Sequence, residues 1–184
     1  MTYCSLTKKR YGISRQARNG MHLIQLLYLM LPIYCANMAP PFVKYWHGWN
    51  RPISVSLLGR HKTVAGAVVG IIVAVVVSLI LRFFDWQESL LASDRWFSFG
   101  IVAGSCAMAG DITKSFFKRR LGLVPGQRWI PFDQLDFVWA GLAGLSFFVP
   151  LDWMDVLEIS ILSFCADVVV NHLSFALGIR DTKW

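Results

Sequence analysis

The stretch VAGAVVGIIVAVVVSLIL, residues 64–81, contains eighteen consecutive residues without a charge. A helix that crosses the hydrocarbon core of a bilayer needs about 20 predominantly apolar residues, so this stretch predicts a membrane-spanning helix. The composition agrees, because 55% of the 184 residues are hydrophobic and only 16% are charged. In soluble domains, roughly 45–50% of the residues are hydrophobic and about 25% are charged. The sequence is therefore typical of an integral membrane protein.

Four further apolar segments flank this one, at residues 21–39, 96–110, 137–151 and 156–177. Together they predict an all-α, polytopic membrane protein with five transmembrane helices, in which residues 21–184 form a single domain. The segments at 96–110 and 137–151 are only fifteen residues long. Since each needs roughly five more residues to cross the membrane, we expect them to extend into charged sequence. The third span would then run past residue 115, and the fourth would begin near Pro131.

Lysine and arginine concentrate in the loop between the first two spans, in the loop between the third and fourth, and in the C-terminal tail. The positive-inside rule predicts that these parts face the cytoplasm, with the protein in the plasma membrane. The formal charge of +7 lies at the ends of apolar runs, where lipid headgroups sit, which argues against a nucleic-acid partner. Residues 1–20 are basic and lack acids, although this topology places them outside. We therefore expect a separate segment, disordered or foreign to the natural product, since Met21 would serve as a start.

The charges of the chain are densest between the third and fourth spans, in GDITKSFFKRRLGLVPGQRWIPFDQLDFVWAG, residues 110–141, with three Asp and five Lys or Arg. On a helix that continues to residue 119, one face carries Asp111, Ser115 and Lys118 or Arg119. Asp133 and Asp136 share a face of the next helix, and the intervening loop has the glycines and prolines needed to bring both ends together. Lys114 flanks the first face. Burying ionisable groups at or just below the level of the lipid headgroups costs free energy. Their presence there therefore predicts a functional site.

Carboxylates grouped with several bases suit metal-assisted chemistry on a polyphosphate. Mg²⁺ binds through one or two carboxylates together with phosphate oxygens, while Lys and Arg neutralise the remaining phosphate charge. An alternative is that Asp133 and Asp136 merely favour a helix N-terminus and that the bases anchor a span at the headgroups. Asp111 fits this alternative poorly, because an acid near a helix C-terminus opposes the helix dipole. Lys62 and Thr63 directly precede the 64–81 span, so they could form a second phosphate-binding position at the start of that helix.

The segment at residues 110–137 resembles the signature of the CDP-archaeol synthases, a five-span branch of the lipid cytidylyltransferases related to CDP-diacylglycerol synthases. YCANMAPP (34–41), LLGRHKT (57–63) and LGIRDTKW (177–184) look like further blocks of that family in the expected order. The resemblance covers nearly everything after residue 21. It implies Mg²⁺-dependent transfer of CMP from CTP to a membrane lipid phosphate, with release of pyrophosphate.

The resemblance also implies roles for individual residues. The metal-binding and catalytic acids would be Asp111, Asp133 and Asp136. Lys118 would be a further catalytic residue, whose positive charge contacts the phosphates. The residues expected to contact the nucleotide phosphates are Lys62, Thr63, Lys114, Ser115 and Arg119. Mg²⁺ is the implied cofactor, with room for a second cation, and the partners are CTP, the lipid phosphate and the bilayer. Ala65 departs from the family, whose members often carry Arg there.

Two alternatives stay open at this stage. A non-catalytic membrane transporter or binding protein would use the same cluster as a binding site, and a helix broken near Pro32 would favour it. A CDP-alcohol phosphotransferase would need the pattern D-G-x₂-A-R, which the sequence lacks. The acceptor's chains are not specified either. We expect the lipid to enter between helices lined by small residues, which could equally pack helices within one chain or in a homodimer. These residues are Gly100, Gly104, Gly141 and Gly144.

Overall fold

The computed structural model describes residues 15–43, 51–59, 62–84, 86, 89–92, 94–123 and 127–176, without the side chains of 15–20 and 174. The predictions made for residues 1–14 and for the terminal block 177–184 lie outside these ranges. The described chain is helical apart from one isolated β-bridge between Pro52 and Thr63, which confirms the all-α class. Its helices are α1 (Arg15–Met38), α2 (Pro40–Val43), α3 (Val55–Leu58), α4 (Val64–Phe84), α5 (Trp96–Arg120), α6 (Phe132–Leu145) and α7 (Trp153–Ala176).

The five long helices coincide with the five apolar segments of the sequence. Two described segments, Met21–Val43 and Val64–Phe84, are long and apolar enough to cross a membrane. The crossing of the membrane by α5, α6 and α7 stays a prediction. As expected, α5 continues through the charged sequence to Arg120 and α6 begins directly after Pro131. The residues of the charged cluster therefore lie on helix ends.

Two helix boundaries differ from the sequence prediction. Helix α6 ends at Leu145 and not at residue 151, because the chain turns over residues 146–149 and Pro150 cannot continue a helix. With 14 residues it is only about 21 Å long. Helix α1 begins at Arg15, six residues before the apolar segment that starts at Met21; a separate segment at residues 1–20 stays a prediction. Helix α1 also runs through Pro32 as one helix, so it lacks the break that would favour a transporter.

Helix α1 is the centre of the bundle and contacts α4, α5, α6 and α7. Its side chains Leu29 and Ile33 are fully buried, as are Phe99 of α5 and Val138 of α6. Many apolar side chains point outward instead, including Ile72 of α4, which is 53% exposed. An apolar surface around an apolar core is what a protein in a lipid solvent requires.

The four glycines expected to line a lipid entrance lie instead at tight contacts between helices of the same chain. A Cβ atom added to Gly100 or Gly104 would lie 2.8 Å from the backbone or side chain of α4 residues. At Gly141 it would lie 2.7 Å from Ile33, and at Gly144 it would lie 2.8 Å from the Cys106 Sγ. Their small size is therefore used for packing inside the chain, which does not support a path of the lipid between them. A homodimer remains a prediction that other surfaces would have to support.

Candidate active site

Three parts of the chain meet at one end of the bundle: the last turns of α5, the first turns of α6, and the segment that joins α3 to α4. The last turn of α5 carries Lys118, Arg119 and Arg120, whose positive charges are favourable at a helix C-terminus. A Cβ atom added to Gly59, just after α3, would lie 3.6 Å from the Arg119 Nε. The segment before α4 is thus packed against the end of α5.

Gly110 brings α5 and α6 together at this end of the bundle. A Cβ atom added there would lie 2.6 Å from the Asp136 carbonyl oxygen and 2.7 Å from the Ala140 Cβ. No real side chain tolerates such a distance to backbone, so only glycine permits this approach. The contact places Asp111, the next residue, beside Asp136. Sequence analysis missed this role, although a glycine adjacent to a charged residue inside a span is a signal that could have indicated it.

Asp111 binds two lysines, one from each side. Lys62, in the segment before α4, forms an ion pair with its Oδ2, and the Lys114 Nζ lies 3.2 Å from its Oδ1. The Asp111 side chain is only 14% exposed. These contacts explain why a largely buried acid is tolerated inside α5, because two positive charges offset the cost of withdrawing its charge from water. Through Asp111, these contacts also join the basic segment before α4 to the basic end of α5.

Lys114 occupies the middle of the cluster. Its Nζ lies 3.2 Å from Asp111 Oδ1, 3.0 Å from Asp136 Oδ2 and 3.9 Å from Asp133 Oδ1. The three acids singled out in the sequence therefore converge on one ammonium group. The lysine side chain is 16% exposed, so this positive charge is largely withdrawn from solvent.

Lys118 and Asp133 form the second centre of the cluster. The Lys118 Nζ donates to both carboxylate oxygens of Asp133 at 2.9 Å and also to the Gln127 carbonyl oxygen. Asp133 Oδ2 additionally accepts from the Trp129 backbone N–H at 2.7 Å. This pair holds the chain entering α6 against the end of α5. The Gln127 carbonyl is a partner that no sequence pattern indicated.

Asp136 keeps unused acceptor capacity although its side chain is only 7% exposed. Its Oδ1 is buried and accepts no hydrogen bond from the described residues. Its Oδ2 is held by the charge of Lys114 at 3.0 Å, in a contact that lacks the alignment of a hydrogen bond. A buried carboxylate normally has its lone pairs satisfied. The unused oxygen therefore indicates a place for a further donor or cation.

Three predicted phosphate-binding residues have structural contacts of their own. The Thr63 hydroxyl accepts from the Gly66 N–H at 3.1 Å at the start of α4, and the Ser115 hydroxyl donates to the Asp111 carbonyl at 2.9 Å. Arg119 donates through Nη1 to the Leu123 carbonyl oxygen, while its buried Nε bonds to none of the described residues. All three lie at the site, and their contact with phosphate stays a prediction.

The donor set fits a divalent cation that arrives with phosphate. Among the described residues no three His, Cys, Asp or Glu side chains lie close enough to hold a metal ion by themselves. Mg²⁺ rarely needs such a cage, because it binds through one or two carboxylates plus waters and substrate phosphates. Asp111 and Asp136 already flank one positive charge, the Lys114 ammonium, and Asp136 Oδ1 is unused. These two carboxylates, supported by Asp133, would hold the metal.

An apolar groove of about 590 Å³ lies between α6 and α7. Pro131 and Leu135 line its part nearest the start of α6 and bracket Asp133 in sequence. The other lining residues are Trp139, Trp153, Val156, Leu157, Ser160, Ile161 and Phe164. The Trp139 indole N–H donates to the Ser160 hydroxyl at 3.1 Å across the groove. The groove is thus an apolar surface that reaches the same end of α6 as Asp133 and Asp136.

Fold and site together define a polytopic membrane protein with a largely buried cluster of acids and bases at one end of its bundle. Its fold is similar to that of a solved intramembrane enzyme for archaeal membrane lipid biosynthesis, with a TM-score of 0.70 and 24% identity over 81% of this chain and 94% of that one. The family model of the CarS-like CDP-archaeol synthases matches residues 20–184. The chain belongs to this family.

Individual family members are similar over nearly their whole length. The CDP-archaeol synthase of Sulfurisphaera tokodaii is 31% identical over 172 residues, which cover 89% of this chain and 97% of that protein. The CDP-archaeol synthase of Methanopyrus kandleri is 31% identical over 171 residues, covering 86% and 91%. That of Saccharolobus solfataricus is 30% identical over 167 residues, covering 88% and 96%. The resemblance found in the charged segment therefore extends through the fold.

Proposed function

We propose that the protein transfers CMP from CTP to the phosphate group of a membrane lipid, forms a CDP-lipid and releases pyrophosphate. Its family makes it an enzyme, a CTP-using cytidylyltransferase of lipid biosynthesis. The observation that carries the proposal is the convergence of Asp111, Asp133 and Asp136 on Lys114, at the end of a bundle with an apolar exterior. Such a site offers both signs of charge to a metal–nucleotide complex and stands next to lipid.

The triphosphate would lie against the bases of the cluster. Lys62, Lys114 and Lys118 each supply an ammonium group, and Arg119 supplies a planar guanidinium that grips two phosphate oxygens at once. Because these side chains come from two different segments, they can contact successive phosphates of one nucleotide. Holding the reactants in line and neutralising charge is most of what phosphoryl-type transfer requires of a protein.

Asp111 and Asp136 would hold Mg²⁺, and Asp133 would stand beside them as a further acid able to support a second cation. When bound there, the metal supplies Lewis-acid neutralisation of phosphate oxygens. The protein's own contribution is to fix those carboxylates through the Gly110 contact and the lysine ion pairs. It also keeps the reacting groups at an end of the bundle where little water enters.

No general base is needed for the attack. The lipid phosphate monoester is largely ionised at neutral pH, so its oxygen is already a nucleophile. That oxygen forms a bond to the α-phosphorus of CTP, and the bond from the α-phosphorus to the bridging oxygen of the β-phosphate breaks. The electron pair leaves with pyrophosphate, whose developing charge faces Lys62 and Lys118. Atoms and charges balance without a covalent enzyme intermediate.

The apolar groove between α6 and α7 would hold a hydrocarbon chain of the acceptor. Two of its lining residues, Pro131 and Leu135, belong to the start of α6, the end of the helix that also carries Asp133 and Asp136. The lipid phosphate would bind at the cluster, and one of its chains would reach the groove around this end of α6. By the positive-inside rule, the basic loops support a site at the cytoplasmic face of the plasma membrane, where CTP is available.

The first experiment uses purified protein in detergent with Mg²⁺, CTP labelled at the α-phosphate, and a panel of diacyl, unsaturated archaeal ether and polyprenyl phosphates. We expect label to enter the lipid fraction with one of these acceptors and to be absent with the Asp136→Asn variant. Such a result would establish reaction and acceptor class together. CTP binding without transfer to any acceptor would refute the proposed reaction, and failure to bind CTP would favour a transporter.

A further inference from the structure

Lys114 stands where a bound cation would stand. Its ammonium lies 3.2 Å from Asp111 Oδ1 and 3.0 Å from Asp136 Oδ2, the two carboxylates that fit a divalent metal best. Asp133 Oδ1 lies 3.9 Å away on the same side. The carboxylates thus already share a positive charge that the protein itself supplies.

The charges of the cluster also balance as they stand. Asp111 pairs with Lys62, Asp133 pairs with Lys118, and Lys114 binds Asp111 and Asp136 between them. Three carboxylates therefore face three ammonium groups. A divalent cation that approaches alone meets no net negative charge and is repelled by three lysines at short range. A triphosphate, in contrast, offers those lysines a new set of anionic partners.

We propose that Lys114 is an internal stand-in for the metal. When the nucleotide binds, the Lys114 ammonium moves from Asp111 and Asp136 to the phosphates, and the two carboxylates become available to the metal. Metal and nucleotide then bind with positive cooperativity, because each needs the exchange that the other favours. By linkage, the same coupling factor acts on both affinities. The inference rests on the proposed function for the identity of the nucleotide, but its central element is an exchange of partners by one side chain.

The chemistry of lysine suits such an exchange. Its ammonium is a compact point charge on a flexible four-carbon stem, whereas an arginine would be held in a planar, bidentate pair with a carboxylate. Lys114 lies three residues after Asp111 on α5, so it can change partners by rotation of its side chain alone. The helix backbone around it is fixed, because Gly110 packs on α6 and the Ser115 side chain is buried.

The test measures Mn²⁺ binding to detergent-purified protein without nucleotide, from the loss of the free Mn²⁺ signal in electron paramagnetic resonance. The variants are Lys114→Met and Lys114→Gln, and the matched control is Arg120→Met. Arg120 is exposed and lies over the Phe116 ring at 5.4 Å, so its loss changes the net charge equally without touching the acids. We expect both Lys114 variants to bind Mn²⁺ about tenfold more tightly than wild type, within the usual range of coupling. The control should stay within about twofold of wild type.

The outcomes separate the two proposals. Unchanged or weaker Mn²⁺ binding by a folded Lys114 variant would overturn the stand-in role, because a merely structural lysine has no reason to compete with metal. Lys114→Gln keeps a donor for Asp136 and decides the question should the Met variant not fold. Wild-type transfer of CMP together with unchanged Mn²⁺ binding in the variants would sink the inference and leave the function intact. Tighter Mn²⁺ binding by the Lys114 variants, without any CMP transfer by wild type, would support the inference and refute the proposed function.

Discussion

The backbone of Gly110 lies directly on that of Asp136: a Cβ atom at residue 110 would approach the Asp136 carbonyl oxygen to 2.6 Å. This contact joins the two helices that supply the acids, and it fixes the distance between Asp111 and Asp136 more firmly than the mobile lysine side chains can. The geometry of the cluster is therefore set by main-chain packing, and the ion pairs adapt to it.

Replacing Gly110 by valine should separate α5 from α6 and disable the site. Overpacking of this kind typically costs about 1–3 kcal/mol of stability, and here the clash is with a carbonyl group that cannot rotate away. We expect transferase activity to fall at least about a hundredfold, since small misplacements of reacting groups have effects of that size. Ala109→Val, at the exposed neighbouring position, is the control and should retain activity. Near-normal turnover by Gly110→Val would contradict this account.

Asp136→Asn should abolish turnover without preventing insertion or folding. The substitution keeps the shape of the side chain, and Lys114 retains Asp111 as its partner at 3.2 Å. Loss of the carboxylate removes a metal ligand, for which we expect a fall in kcat of at least about a hundredfold. Size-exclusion profile and melting temperature in detergent report on the fold. Asp152→Asn, an exposed acid outside the cluster, should behave as wild type.

Lys118 and Lys62 should differ in what they do for stability. Lys118 is 11% exposed and bonds Asp133 and the Gln127 carbonyl, so Lys118→Met should lower the free energy of unfolding by about 1–3 kcal/mol and also lower activity. Lys62 is 25% exposed and has Asp111 as its ion-pair partner. Lys62→Met should therefore lower activity with a much smaller change in stability. Thermal unfolding and CMP transfer, measured on both variants, check the difference. Equal destabilisation by the two substitutions would show that Lys118 does not hold the entry to α6.

Much of this arrangement was predictable from local sequence. The uncharged run at 64–81 indicates a spanning helix, and the shortfall in length of the run ending at residue 110 correctly predicts that α5 continues through Asp111 and Lys118. Helical spacing places those charges on one face. The resulting convergence of charges needs only a loop that reverses the chain.

The rest depends on contacts between helices, which no local pattern encodes. Hydropathy continues beyond Leu145 although α6 does not, because Phe147 and Phe148 are as apolar in a turn as in a helix. The position of Lys114 among three acids depends on how closely α5 and α6 approach. The groove beside Trp139 arises from the separation of α6 and α7, and sequence analysis instead placed the lipid at glycines that pack tightly.

Filling the groove should impair use of the lipid while sparing use of CTP. Ser160 lies on the groove wall, and Ser160→Phe would place a ring where we propose an acceptor chain lies. Each methylene displaced from apolar contact costs about 0.8 kcal/mol, so loss of two or three should raise the KM for the lipid about tenfold or more. The KM for CTP should stay unchanged, because the cluster around Lys114 is untouched. Ile72→Phe, on the exposed surface of α4, adds a similar ring away from the groove and should have no effect. A Ser160→Phe enzyme with a normal KM for every lipid phosphate would place the acceptor elsewhere on the bundle.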